Sequence, residues 1–350
     1  MCWLFEGGHY YSSFLDFSAL MMSLIRGINQ IKVVNFDMFG GQKFQNEKIM
    51  AIIKIRAKLL RAARCWLNQN DYVEVHGPTL IPAVGDWPGH FEVKYFDKKA
   101  YLAQGLQPYA TAFVASLGKI YTIAPAFRAE RVRTRRHLTE FWRIEVAQQC
   151  ELDAIIGVQE KLVTHICHSL SKEAIEILEC FDRSVKDFEG VQTPFPRLTY
   201  DEAIDLLQSD GFNVSWGQRL DWELESHLSH RFGQPFFIMK FPVGVETFFH
   251  KSDHEKPELT LSVDLLAPEG YGEIGSGAQR ITEKKVMLQK MAEENIDPAD
   301  QRWYMNFMQC KALPHSGFVI GLERLIQWIC KLVHVEEATA FPRLYDSIYP

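Results

Sequence analysis

The chain lacks most of the features that narrow a function at once. Its seven cysteines (Cys2, Cys65, Cys150, Cys167, Cys180, Cys310 and Cys330) contain no Cys-x-x-Cys pair. Neither a zinc ribbon nor a dithiol redox centre is therefore written in it. Scattered cysteines in odd number fit buried reduced thiols, which points to a reducing, cytoplasmic setting. There is no long apolar run: "SALMMSLI", residues 18–25, is too short to span a bilayer, and no basic stretch precedes it as in a signal peptide. An excess of positive charge is also missing. A formal net charge of −6 over 350 residues excludes broad coating of nucleic acid or of an anionic membrane. No repeat, low-complexity tract or linker interrupts the chain. Residues 47–350 read as one domain, and residues 1–46 as an N-terminal extension.

What is present is a regular alternation of patterns. Residues 47–69 carry apolar side chains at three- and four-residue spacing, predicting an amphipathic helix. "YVEVHGP" alternates and stops at Gly77-Pro78. "FEVKYF-DKK-AYLAQ" predicts a hairpin turning at Asp97 and Lys98. "KIYTIAPAFRAE" and "HLTEFWRIEVAQ" predict a longer hairpin, with loop 131–136. Strand patterns recur in "PFFIMKFP", "VETFFH", "ELTLSVDLLAPEG" and "YGEIGSGAQRI", and a strand-to-helix passage in "SGFVIGLERLIQWICKLV". Hairpin links imply an antiparallel sheet flanked by helices, an α+β fold.

Three stretches carry chemistry. "FRAERVRTRRHLTEF", residues 127–141, concentrates arginines inside an acidic protein, so any polyanion it meets is bound locally. Arginine forks suit phosphate oxygens, and Phe141 can stack on a base. A solvated charged loop explains the run equally well when it is taken alone. In "GLERLIQWI", Glu323 and Arg324 open a helix, where phosphates bind readily, although an amphipathic helix start needs no ligand. Asp264 and Glu273 lie on one predicted hairpin and suit Mg²⁺ beside phosphates, or are simply surface acids.

Taken together and in this order, these stretches resemble motifs 2 and 3 of the class II aminoacyl-tRNA synthetases. The helix 47–69 with "VEVHGPTLIPA" resembles motif 1, Pro78 falling at its proline. The stretches "YLAQGLQPYATA", "DLLAPEGYGEIGSGAQRI" and "VEEATAFPR…IYP" are most similar to the catalytic domain of the aspartyl/asparaginyl branch, on the asparaginyl side. The resemblance covers residues 47–350. It implies an AMP-forming ligase of class II synthetase fold that uses ATP and Mg²⁺. By resemblance, Arg128 grips the α-phosphate, Glu130 lies near adenine, and Arg136, His137 and Leu138 belong to the stretch around the outer phosphates. Phe141 and Arg324 cover the two faces of adenine, and Asp264 and Glu273 hold the metal, Glu273 also meeting the nucleotide. Gln104, Gln107 and Arg280 match amino-acid contacts. Motif 1 implies a homodimer.

Departures from the family cluster on amino-acid recognition. The flap that carries an acid for the substrate's α-amino group reads "AVGDWPGHF", leaving Asp86 as substitute. The family's Q-S-x-Q is "QGLQ", residues 104–107, and Glu246 stands where relatives have a basic residue. Ala110 occupies the position of the lysine of aspartate-specific members, and Glu145 lies where a carboxylate accepts from a carboxamide. Residues 1–46 lack the five alternating runs of an anticodon-binding barrel. The expectation is a stand-alone paralogue that activates Asn, Asp or a close analogue as an acyl-adenylate and transfers the acyl group to a nucleophile. tRNA charging without anticodon reading, ammonia-dependent asparagine synthesis and a non-catalytic amino-acid sensor are the alternatives.

Overall fold

The computed structural model describes residues 46–349 except 83–88, 295, 300 and 312. The extension expected over residues 1–46 therefore lies almost wholly outside the described residues, as does Asp86. Helix α1, Glu47–Gln69, buries Ile52, Ile55, Leu59, Ala63 and Leu67, the stripe its three- and four-residue spacing predicts. It packs beside helix α3, Leu152–Glu173, which Ala174 caps at its C-terminus.

Both helices cover one face of an eight-stranded sheet of order β1-β5-β6-β11-β10-β9-β8-β7. The strands are β1 Val73–Glu74, β5 Lys119–Phe127, β6 Glu140–Gln148, β7 Arg197–Thr199, β8 Phe236–Met239, β9 Ser262–Ala267, β10 Gly272–Gln279 and β11 Ser316–Gly321. From β5 to β8 every neighbouring pair is antiparallel, as expected. Each edge adds a parallel pair, β1 with β5 and β7 with β8, so the sheet is mixed. Hairpin reasoning could not reach these edges, because their partners are distant in sequence.

Strand β1 is two residues long, much shorter than "YVEVHGP" suggests. A separate small sheet joins β2 Leu80–Ile81, β4 Lys98–Leu102 and β3 Glu92–Tyr95. Its hairpin pairs Tyr95 with Lys98, so the turn is Phe96-Asp97 rather than Asp97-Lys98. "VETFFH" is not a strand. It forms a 3₁₀ turn at Val243–Val245 and an irregular passage that meets Arg280 through a single bridge at His250.

The main core lies between the sheet and helices α1, α3 and α8, Leu322–Ile329. Tyr121, Ile123, Ile144, Val146, Leu265, Ile274 and Phe318 supply the sheet side of it. Helix α2, Tyr109–Leu117, packs against β5 and β6 in a smaller cluster with Ile120 and Ala147. Helices α4, Tyr200–Ser209, and α5, Trp222–Ser229, close a third cluster over β8. Thr199 caps α4 in a reciprocal capping box with Glu202, a Thr-x-x-Glu spacing that is local in sequence. Helices α6, Lys284–Glu293, and α7, Arg302–Lys311, contact each other. A further cluster, with Met287, Met291 and Met308, holds Phe248 and Phe249. The sheet face opposite α1 and α3 carries the functional cavity.

Candidate active site

Strand alternation builds the floor of this cavity. On β6, Ile144 and Val146 enter the core, and Trp142 lies under the Arg56 guanidinium of α1 at 5.7 Å. Phe141, Arg143 and Glu145 therefore project to the opposite face, where they line a cavity of about 190 Å³. Glu273 and Ser276 both line it as well, although a spacing of three should send them to opposite faces. A β-bulge between Glu273 and Gly275 absorbs one residue. Asp264, paired with Ser276, and Glu273, paired with Leu266, thereby reach one side.

The charges in the cavity are unequally satisfied. Glu273 accepts from Arg324 Nη1 at 2.8 Å and from Arg136 Nη2 at 3.1 Å. Burial alone would raise its pKa, but Arg324 and Arg136 outweigh that and hold it at about 2. Arg136, only 7% exposed, also donates to Glu225 Oε2 at 2.5 Å. The same Glu225 oxygen accepts the backbone N–H of Glu273 at 2.9 Å. Gly272 sits against this pair with φ +70°, and a Cβ there would lie 2.9 Å from Glu225 Oε2. Both the left-handed backbone and the close approach require glycine.

Asp264 is in the opposite condition. Burial, then the neighbouring Glu273, Glu246 and Glu225, push its carboxyl well above the ordinary aspartate range. A raised folded-state pKa stabilises the fold below the unfolded value and loses that contribution as pH rises through the folded value. Without magnesium or nucleotide, the gap in melting temperature between wild type and Asp264→Asn should therefore widen as pH climbs above about 4. Asp264→Asn should melt higher than wild type at pH 8 and match it near pH 4. Parallel melting curves across that range would show that crowding of acids is not what unsettles Asp264.

The basic run resolves into separate roles. Arg128 lies over the Phe141 ring at 5.7 Å and lines the cavity. Burial, then Arg143, lowers its pKa to about 10, so it stays charged at neutral pH. Arg133 turns outward to Asp346 and Glu336, and Arg135 covers Trp222 at 5.5 Å. His137 lines the cavity but is not a cation: burial and the charges of Arg324, Arg136 and Arg128 hold it at about 4. The cavity is thus not a uniformly basic patch.

Glu130, Leu138, Gln107, Glu145, Arg280 and Arg324 also lie on its wall. Arg280 rests over the Phe249 ring at 4.8 Å. Gln104 is not on the wall; it is buried and donates from Nε2 to the Gly89 carbonyl at 3.3 Å. Glu323, the partner of Arg324 in the helix-opening motif, turns back to accept from Arg56 at 2.6 Å and from the Trp142 N–H at 2.9 Å. It ties α8 to α1 and β6, while Arg324 serves the cavity. Glu225, Arg219, Arg143 and His250 were not read as site residues from the sequence; His250 lies 2.8 Å from Glu246, which the sequence did single out. Glu225 sits on an ordinary amphipathic helix, which offers no sequence signal.

The sequence model of the tRNA synthetases of class II (D, K and N) matches residues 42–345. The chain belongs to this family. It is an ATP-dependent ligase of the aminoacyl-tRNA synthetase kind, and its class II fold is an antiparallel sheet with parallel edges, flanked by helices. Relatives include the asparagine–tRNA ligase of Thermococcus gammatolerans, 42% identical over 87% of this chain and 72% of that protein. The asparagine–tRNA ligase of Pyrococcus furiosus is also 42% identical, over 87% of this chain and 70% of that protein. Among solved structures, the asparaginyl-tRNA synthetase of Pyrococcus horikoshii complexed with asparaginyl-adenylate superposes with a TM-score of 0.86. Its identity is 40%, over 87% of this chain and 71% of that one. In this synthetase-family chain no described helix is long and apolar enough to cross a membrane. Of its described cysteines, Cys167 and Cys330 are buried free thiols as expected, whereas Cys65 and Cys180 are exposed.

Proposed function

We propose that this enzyme activates asparagine, aspartate or a close analogue as an acyl-adenylate and passes the acyl group to a nucleophile, forming an ester or amide. The observation that carries this reading is the charge arrangement around Phe141. Arg128 lies on that ring, and Arg324 and Arg136 are fastened to Glu273, all on one cavity wall. Pre-set guanidiniums of this kind neutralise a triphosphate while costing little reorganisation at the moment of reaction. The substrate carboxylate is itself the nucleophile toward the α-phosphorus, so no side chain has to act as base. Arg128 neutralises charge that develops on the phosphoryl oxygens as pyrophosphate departs. The neutral His137 and the apolar Leu138 border the same space.

Mg²⁺ fits the residues present. Among the described residues no group of three or more His, Cys, Asp or Glu could cage a metal. Magnesium commonly takes one or two carboxylates and completes its shell with substrate phosphates and water. Asp264, crowded by acids, with Glu273 beside it, supplies such carboxylates. When bound there, the ion would neutralise phosphate charge and shield Asp264 from its neighbours.

The relatives named asparagine–tRNA ligases make tRNA the first acceptor to test. The resemblance of motif 1 supports a homodimer through α1 and the β1 edge, and the scattered cysteines without a Cys-x-x-Cys pair support a cytoplasmic location. The deciding experiment is amino-acid-dependent ATP–pyrophosphate exchange across asparagine, aspartate and small analogues. Exchange with one of them, lost when that acid is omitted, is the expected result. ATP binding without exchange for any candidate would favour a sensor and sink the adenylation reading.

A further inference from the structure

Glu145 was expected to meet a substrate carboxamide, yet the structure gives it another partner. Arg143, two residues earlier on the same face of β6, places Nη2 2.8 Å from Glu145 Oε1, with Nε at 3.3 Å. The backbone N–H of Leu106 donates to the same oxygen at 3.0 Å. Both side chains are only 13% exposed, and both line the cavity. Space for this guanidinium comes from Gly105. A Cβ there would stand 1.9 Å from Arg143 Nη2, 2.8 Å from its Cζ and 3.1 Å from Glu145 Oε1. Gly105 does not adopt a left-handed backbone, so its missing side chain serves space rather than conformation. The glycine of "QGLQ", a departure from the family's serine, and Arg143 are thus two halves of one arrangement.

The consequence is chemical. A lone Glu145 would accept hydrogen bonds, selecting an amide NH₂ or an ammonium. Once paired with Arg143 its charge is neutralised, and the remaining guanidinium N–H groups are donors. We propose that Arg143, admitted by Gly105 and anchored by Glu145, is a specificity-determining residue that selects an acyl substrate whose side chain ends in a hydrogen-bond acceptor, a carboxylate, over one ending in a carboxamide. The order along β6 supports this placement. Phe141 and Arg128 mark the nucleotide end, so the far end of an acyl group runs toward Arg143 and Glu145. Arg143 and Arg128, like charges that both line the cavity, repel each other, which also favours an anion in this part of it. The inference rests on the adenylation reading and narrows its substrate.

The test is binding of two non-hydrolysable adenylate analogues, aspartyl- and asparaginyl-sulfamoyl adenosine, measured by titration calorimetry on wild type, Arg143→Met and Gly105→Ala. Wild type should prefer the aspartyl analogue about tenfold or more, the scale of a charge-assisted hydrogen bond. Arg143→Met should erase or reverse that ratio. Gly105→Ala retains the charge but displaces the guanidinium, and should shift the ratio the same way even if Arg143→Met folds poorly. A wild-type preference for the asparaginyl analogue, or a ratio unchanged in both variants, overturns the assignment alone. Failure of both analogues to bind wild type overturns the adenylation reading and the inference with it.

Discussion

Arg128→Ala is expected to lower ATP–pyrophosphate exchange about 10²–10³-fold, the usual effect of removing one pre-set donor to transition-state charge. The loss should fall on kcat more than on binding of the amino acid, because the guanidinium meets charge that grows during the reaction. The folded state should not suffer. Arg128 is a half-buried cation near Arg143 and Arg324, and its charged form is already disfavoured, with a pKa lowered to about 10. Melting temperature should therefore hold or rise while activity collapses. A variant that loses stability and activity together would mark Arg128 as a structural residue.

The second large effect is on stability. Arg136 is buried between Glu225 and Glu273, at 2.5 and 3.1 Å. Arg136→Met should destabilise the domain by about 3 kcal/mol, because breaking one side of a buried ion pair leaves carboxylates without compensation. For a domain of this size that is a fall in melting temperature of roughly 5 °C. Adding Glu225→Leu should recover part of the loss, since an apolar replacement of both partners is better tolerated than one orphaned charge. If the single variant melts like wild type, the pair is solvated and the cavity wall is less rigid than its geometry indicates.

These effects explain how a basic run can occur in an acidic chain. Arg133 and Arg135 are engaged by Asp346, Glu336 and Trp222, and Arg136 by Glu225 and Glu273. The local excess of arginine is largely internal wiring that fixes the loop between β5 and β6. Arg128, over Phe141, and Arg324, on Glu273, line the cavity as well. Composition could not distinguish these fates, because ion-pair partners 89 to 213 residues away are invisible to local pattern.

Local pattern was sufficient where interactions are local. The stripe of α1, the hairpin of β5 and β6, the capping box at Thr199 and the glycine entry to α8 depend on spacing and turn chemistry within a few residues, so the sequence by itself determined them. The family motifs, and with them the ligase chemistry, were equally legible. Tertiary structure alone decided the rest. It set the parallel sheet edges, made "VETFFH" irregular, turned Gln104 away from the cavity wall, and brought Glu225 under Arg136. It also assigned Glu145 to Arg143 through the space left by Gly105. Each of these depends on which distant group arrives at a buried charge or an unpaired backbone edge. That outcome follows from packing and desolvation across the whole sheet, which no window along the chain contains.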